Sequence, residues 1–338
     1  MKWGAGSVID PSRPARRHLS ARESNGAPPR AIWSHELFSP EKSAVLLLAH
    51  GSPDSVDDIP EFLRRVTGGR PVPAEVIAEV KHRYGLIGRS PLTELTLRQG
   101  HLLAQELNLP VYVGMRNWKP WVADTLRVMK SDGIAHAVVL CLAPQNSRTS
   151  VGLYRAALNI EGGAPFATEF VESWHDHPLL IKAFAEKLRT GWERACKQMS
   201  ARVPVIFTAH SVPQRTIAEG DPYENQTKET AMLVVREASL APDDWRFAFQ
   251  SQGMSGGAWL GPRVEDAILG LKKNGHGGVF VQPIGFLCDH VEVLYDIDIG
   301  FKQFADKEGM QLWRAESLND SRLLTAALAD LARSRIEG

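Results

Sequence analysis

Asp289, His290, Glu292, Asp296 and Asp298 fall within thirteen residues, "FLCDHVEVLYDID" (286 to 298), directly after the apolar run "GVFVQPIGF". Imidazole and carboxylates among large apolar side chains can bind a metal ion or carry protons, and a solvated loop rarely has this composition. If the chain is helical from Asp289 onward, Asp289, Glu292 and Asp296 stand at i, i+3 and i+7 and share one stripe, with Leu294 and Ile297 on another. A helix N-terminus also collects acids for its dipole, which accounts for Asp289. It accounts poorly for Asp296, because that effect fades within the first turn.

His210 closes another apolar run, "VPVIFTAH", and precedes Ser211, Val212 and Pro213, so rigid backbone supports its imidazole. A lone histidine there is more often structural, but His210 with Glu292 makes an N/O donor pair suited to Fe(II), Co(II) or Zn(II). Two protein ligands form a weak, open site of the kind needed to hand a metal onward, whereas a structural zinc takes four. His290 and Asp296 join them as catalytic candidates, Asp296 one turn beyond Glu292 and able to draw metal or protons along the helix. Other chemistries find no support: no G-x-S-x-G follows a strand and no G-x-G-x-x-G opens a helix.

These residues need a framework, and the hydrophobic pattern supplies one. Apolar runs at 44 to 49, 110 to 114, 136 to 142, 167 to 172, 203 to 209, 246 to 250, 278 to 285 and 311 to 314 alternate with stretches of helical length, which predicts α/β units with parallel sheets. The series contains a repeat. "WKPWVADTLRVMKSDG" (118 to 133) returns as "WLGPRVEDAILGLKKNG" (259 to 275), with Pro120/Pro262, Asp124/Asp266, Lys130/Lys272 and Gly133/Gly275 each offset by 142. "LLLAHGSP" and "VIFTAHSVP" match as the opening strands, placing His50 and His210 at comparable strand ends. Two similar doubly wound halves are predicted, with both histidines and the 286 to 298 segment facing the cleft outside the strands' carboxyl ends.

The whole chain sets wider bounds. At 338 residues it is long enough for about two domains. Lys plus Arg equals Asp plus Glu at 39 each, so no net field recruits nucleic acid or an anionic membrane. No apolar run approaches the roughly 20 residues of a spanning helix, and no secretory signal is evident, so a cytoplasmic protein is expected. Cys141, Cys196 and Cys288 are widely spaced and form no CxxC, which argues against a disulfide framework, a structural zinc or an iron–sulfur cluster. Residues 1 to 40 carry six Lys or Arg against three acids without periodicity, the pattern of a flexible extension.

"IGRSPL" (87 to 92), "GMRNWKP" (114 to 120), "LAPQNS" (142 to 147), "TAHSVP" (208 to 213), "GDPY" (220 to 223), "FQSQG" (249 to 253), "WLGP" (259 to 262) and "DHVEVLYDID" (289 to 298) run in order through most of the chain and resemble the ferrochelatases. The resemblance implies two Rossmann-like domains facing a porphyrin cleft, with Fe(II) and a porphyrin as substrates and no tightly bound cofactor. It implies His210 and Glu292 as the metal-site pair, without deciding which meets iron first. "GGRPVP" (68 to 73) and "RYGLIGRSPL" (83 to 92) look most like the bacterial coproporphyrin enzymes. By position, Arg83, Tyr84, Ser90 and Tyr154 would contact propionates and ring, and His50 would lie over the porphyrin face. Three residues depart from the pattern: His50 stands where that subgroup usually has Tyr, Gly300 where Glu is often found, and Asn117 where some relatives have His.

The expected organisation is a flexible extension (1 to 42), a first Rossmann-like domain (43 to 173), a second (174 to 318) and a C-terminal helix (319 to 338) packing back on the first. A monomer is expected, with peripheral membrane contact left open. Protoporphyrin IX ferrochelatase, a cobalt or nickel chelatase of the same superfamily, and a noncatalytic heme or metal carrier stand as alternatives.

Overall fold

A computed structural model of the chain describes residues 42–159, 163–252 and 257–336, so the expected N-terminal extension lies outside the described residues except for Lys42. All eight apolar runs are strands, with ends within two residues of those read from sequence: β1 (Ser43–Ala49), β2 (Val111–Met115), β3 (His136–Cys141), β4 (Ala167–Val171), β5 (Val205–His210), β6 (Trp245–Gln250), β7 (Gly278–Pro283) and β8 (Gln311–Arg314). They form two four-stranded parallel sheets of the same order, β2-β1-β3-β4 and β6-β5-β7-β8.

Parallel strands covered on both faces read as continuous apolar runs rather than as alternation. In β1, Val45 and Leu47 face one way and Leu46 and Leu48 the other, and all four are fully buried. The first half carries α1 (Ile59–Val66), α2 (Ala74–Ile87), α3 (Leu92–Leu107), α4 (Val122–Ser131) and α5 (Val151–Leu158). The second carries α6 (Pro178–Met199), α7 (Gln214–Ala218), α8 (Tyr223–Glu237), α9 (Val264–Lys273), α10 (Val291–Leu294), a π-helical turn (Asp296–Phe301) and α11 (Lys302–Lys307). Val45 and Leu47 of β1, Val205 and Phe207 of β5, and buried residues of α3, α6, α8 and α12 (Arg322–Ile336) share one core, so the two halves are fused along their apolar interiors. α12 packs on α3 and on α6, where its apolar stripe touches both halves at once.

The repeat is structural as well as sequential. α4 and α9 are each ten residues long and offset by 142, the peptides before Pro120 and Pro262 are both cis, and Met115 N–H donates to Pro120 O as Phe249 N–H donates to Pro262 O. Apart from these cores, α1 and α2 form a small cluster of Ile59, Phe62, Leu63 and Tyr84 over Trp118, with Val291 of α10 packed against it. This cluster roofs one side of the cleft.

Candidate active site

His210 is the last residue of β5. Its Nδ1 donates to the Ser211 carbonyl at 2.6 Å, which fixes the tautomer and leaves Nε2 facing outward, while Tyr223 Oη donates to the His210 carbonyl at 3.0 Å and pins the backbone. Nε2 lies 3.6 Å from Glu292 Oε1. Two donors each about 2.1 Å from one ion, at a right angle or a little wider, stand about 3.2 Å apart, so this pair needs little adjustment to share a metal. His50 follows β1 in the same way: its Nδ1 donates to Gly51 O at 3.0 Å and its ring meets the edge of Phe62. Gly51 has φ +84°, and a Cβ there would stand 2.8 Å from the Trp118 backbone nitrogen, so only glycine makes the turn that brings His50 beside Trp118.

The acid stripe divides into two pairs. No continuous helix begins at Asp289: His290 is extended (φ −163°, ψ −176°), α10 is a single turn, and the π turn follows at Asp296. The Asp289 carboxylate accepts from Ser317 Oγ at 2.7 Å and Asn319 Nδ2 at 2.9 Å, with Arg314 at 3.4 Å, and therefore serves neither a helix dipole nor the cleft. Asp298 is held by the same Arg314 through two bonds of 2.6 and 2.9 Å. Glu292 and Asp296 keep the cleft side. Glu292 Oε2 lies 3.3 Å from His290 Nε2, whose Nδ1 donates to the Cys288 carbonyl at 3.0 Å; Asp296 accepts from Ser251 Oγ and lies 3.6 Å from Arg83.

The environments push these two acids apart. Burial raises Glu292, but His210, His290 and His50 outweigh it and pull the carboxyl down to about 2. With 38% of its side-chain surface still facing the open cleft, water moderates that field, and the firm conclusion is that Glu292 is ionised at neutral pH. Asp296 is raised, first by burial and then by Glu292, against the opposing pull of Ser251, Arg83 and His210. His50 is pushed down to about 4 by its enclosure and by Arg116. Its ring is nonetheless open to cleft water, so an apolar ligand that displaces this water strengthens the effect.

A histidine depressed in the folded state leaves the unfolded chain binding more protons below its ordinary value near 6.5, so stability falls as pH drops from there, by an amount that water at the exposed ring reduces. His50→Gln is expected to flatten the decline in melting temperature measured from pH 7 to pH 5. An unchanged slope rules out the assignment.

Tyr84, Tyr154, Ser90 and Arg83, the expected substrate residues besides His50, each have partners within the protein. Tyr84 is buried with its hydroxyl 3.1 Å from Ser52 Oγ, and Tyr154 is buried under the Arg116 guanidinium, 6.0 Å from the ring centre. Ser90 is buried before α3, its Oγ accepting from Leu92 N–H at 3.5 Å. Arg83 bonds Glu79 at 2.9 Å and stacks over Tyr295, so its charge is already shared. At Gly300 an added Cβ would meet only the Tyr295 carbonyl at 3.6 Å, so the π turn has room for a side chain there.

Sequence reasoning missed three supports. Gln250 Nε2 donates to the Glu292 carbonyl at 2.8 Å from the end of β6, Ser251 reaches Asp296, and Arg314 ties down Asp289 and Asp298. The resembling stretch "FQSQG" contained Gln250 and Ser251 without marking what either would hold. Arg314 left no signal.

The sequence profile described as Ferrochelatase matches residues 42–336. A ferrochelatase of Acidobacterium capsulatum is 55% identical over 311 residues, covering 88% of this chain and 95% of that protein. A protein of Geobacillus sp. named coproporphyrin III ferrochelatase is 34% identical, covering 88% and 99%. Among solved structures, SirB from Bacillus subtilis with Fe3+ shares the fold at a TM-score of 0.53 and 12% identity, over 88% of this chain and 98% of that one. The chain therefore belongs to the ferrochelatase family, the metal-inserting enzymes that join iron to a porphyrin in heme biosynthesis.

Proposed function

We propose that this ferrochelatase prefers coproporphyrin III and that iron enters the ring from the side of His210 and Glu292. The observation that carries the metal side is the 3.6 Å approach of His210 Nε2 to an ionised Glu292, both on short, braced elements of the second half, with His50 presented from the first. A flat porphyrin hides its nitrogen lone pairs in the ring plane, and bending in a fitted cleft turns them toward the metal, which is strain applied toward the transition state.

Two N–H protons must leave as iron arrives. His210, with Nδ1 committed to the backbone, accepts at Nε2, and Glu292 contributes negative charge for the metal. Asp296, raised where Glu292 is lowered, suits onward transfer of a proton, and His290 orients Glu292 through its 3.3 Å contact.

The porphyrin preference is supported by arginines near the matching motifs and by relatives named coproporphyrin III ferrochelatase at 33 to 34% identity. Coproporphyrin III has four propionates and protoporphyrin IX two, and carboxylates bind best where charged donors replace their water. The test is kcat/KM with each porphyrin; faster use of protoporphyrin IX overturns the preference and leaves the family assignment standing. In the same assay Arg83→Ala is expected to cost coproporphyrin about 1.5 kcal/mol, the low end for a charge-assisted bond, because Glu79 and Asp296 already share that guanidinium.

A further inference from the structure

Of the arginines at 83, 89, 116, 148 and 155, four have carboxylate partners. Arg83 has Glu79 and Asp296, Arg89 has Glu94, Arg148 has Glu219, and Arg155 has Glu172. Arg116 has none among the described residues. Its guanidinium stands over Tyr154, and its Nε is shut off from solvent without a hydrogen-bond acceptor. The backbone fixes it beside the His50 turn: Arg116 N–H donates to Ala49 O at 3.0 Å and Asn117 N–H to His50 O at 2.9 Å, which ties the end of β2 to the turn that carries His50. Burying an unpaired cation is costly, because the water it loses is not replaced by any acceptor. A folded chain gains nothing from that arrangement by itself, whereas an anion arriving in the cleft removes the cost.

We propose that Arg116 binds a propionate of the porphyrin, one of the two that coproporphyrin III has and a dialkyl or divinyl porphyrin lacks. This rests on the coproporphyrin reading above and makes Arg116 a specificity residue beside the His50 turn. A carboxylate there meets a guanidinium with free donors, while an ethyl or vinyl group leaves the half-buried cation unmatched. The discrimination therefore comes from both sides, an attraction for one substrate and an unsatisfied charge against the other.

The experiment compares metal-free coproporphyrin III with mesoporphyrin IX, which has ethyl groups where coproporphyrin III has those two propionates. Dissociation constants are taken from porphyrin absorbance and fluorescence for the parent, Arg116→Met and Arg116→Lys, with the melting temperature of each ligand-free protein. Arg116→Met is expected to weaken coproporphyrin binding about 10- to 100-fold and mesoporphyrin binding by less than about threefold, with Arg116→Lys in between. Its ligand-free melting temperature is expected to stay level or rise, since an unpaired charge gives way to an apolar chain of similar length. Equal losses for both porphyrins, no loss for either, or a melting temperature lower by many degrees overturns the proposal. A parent that favours mesoporphyrin while Arg116→Met still selectively weakens coproporphyrin overturns only the substrate preference.

Discussion

His210→Ala and Glu292→Gln each lower the rate of iron insertion by two or more orders of magnitude, the scale of losing a positioned acid–base group. His210 Nδ1 is spent on the Ser211 carbonyl, so Nε2 is its working atom, and the partner facing it is Glu292 Oε1 at 3.6 Å. Under the proposed mechanism, alanine removes the proton acceptor. Glutamine keeps the shape of Glu292 and its backbone bond from Gln250 but removes the charge that attracts iron. Both variants should fold, because His210 and Glu292 keep 30% and 38% of their side-chain surface exposed and neither belongs to the apolar core. Turnover followed over many equivalents of porphyrin, beside the melting temperature, checks this; near-normal turnover in either variant removes the pair from the mechanism.

Arg314→Leu carries the largest expected effect on stability. One guanidinium holds Asp298 through two bonds, approaches Asp289 at 3.4 Å and donates to Ala315 O at 2.8 Å, with only 14% of its side-chain surface exposed. Leucine strips Asp298 of both charge-assisted bonds and leaves Asp289 with only Ser317 and Asn319. Breaking such a pair from one side costs about 3 kcal/mol, the low end of the range for buried pairs because Asp298 remains 36% exposed. Arg314→Lys keeps the charge but not the two-pronged geometry and should lose about half as much. Denaturant midpoints decide it, and a midpoint for Arg314→Leu equal to the parent's means that Arg314 contributes nothing.

The strands and the His210–Glu292 pairing could be read in the sequence because each leaves a local trace. A strand covered on both faces is an unbroken apolar run, and His210 closes such a run in register with an internal repeat. The fate of Asp289 could not be read in this way. Its placement beside Glu292 assumed one helix from 289 onward, whereas the chain stays extended through His290, turns once and then widens at Asp296. The partners that claim Asp289 lie on or beyond β8, and nothing in the spacing of 286 to 298 points there. The pairing of Arg83 with Asp296 and the isolation of Arg116 are likewise three-dimensional facts about charges whose sequence neighbourhoods look alike.

The roof of α1 and α2 differs from the rest of the molecule in how it yields to force. The two sheets share one apolar interior through α3, α6, α8 and α12, so prising the halves apart would expose a large part of the core to water. The roof rests instead on Phe62, Leu63, Tyr84 and Trp118 and leans on Val291, the residue next to Glu292. The turn that carries Glu292 is thus held from two sides, Val291 against this small cluster and the fully buried Val293 in the core of the second half, so it bridges the lightly packed part of the molecule and the densely packed one.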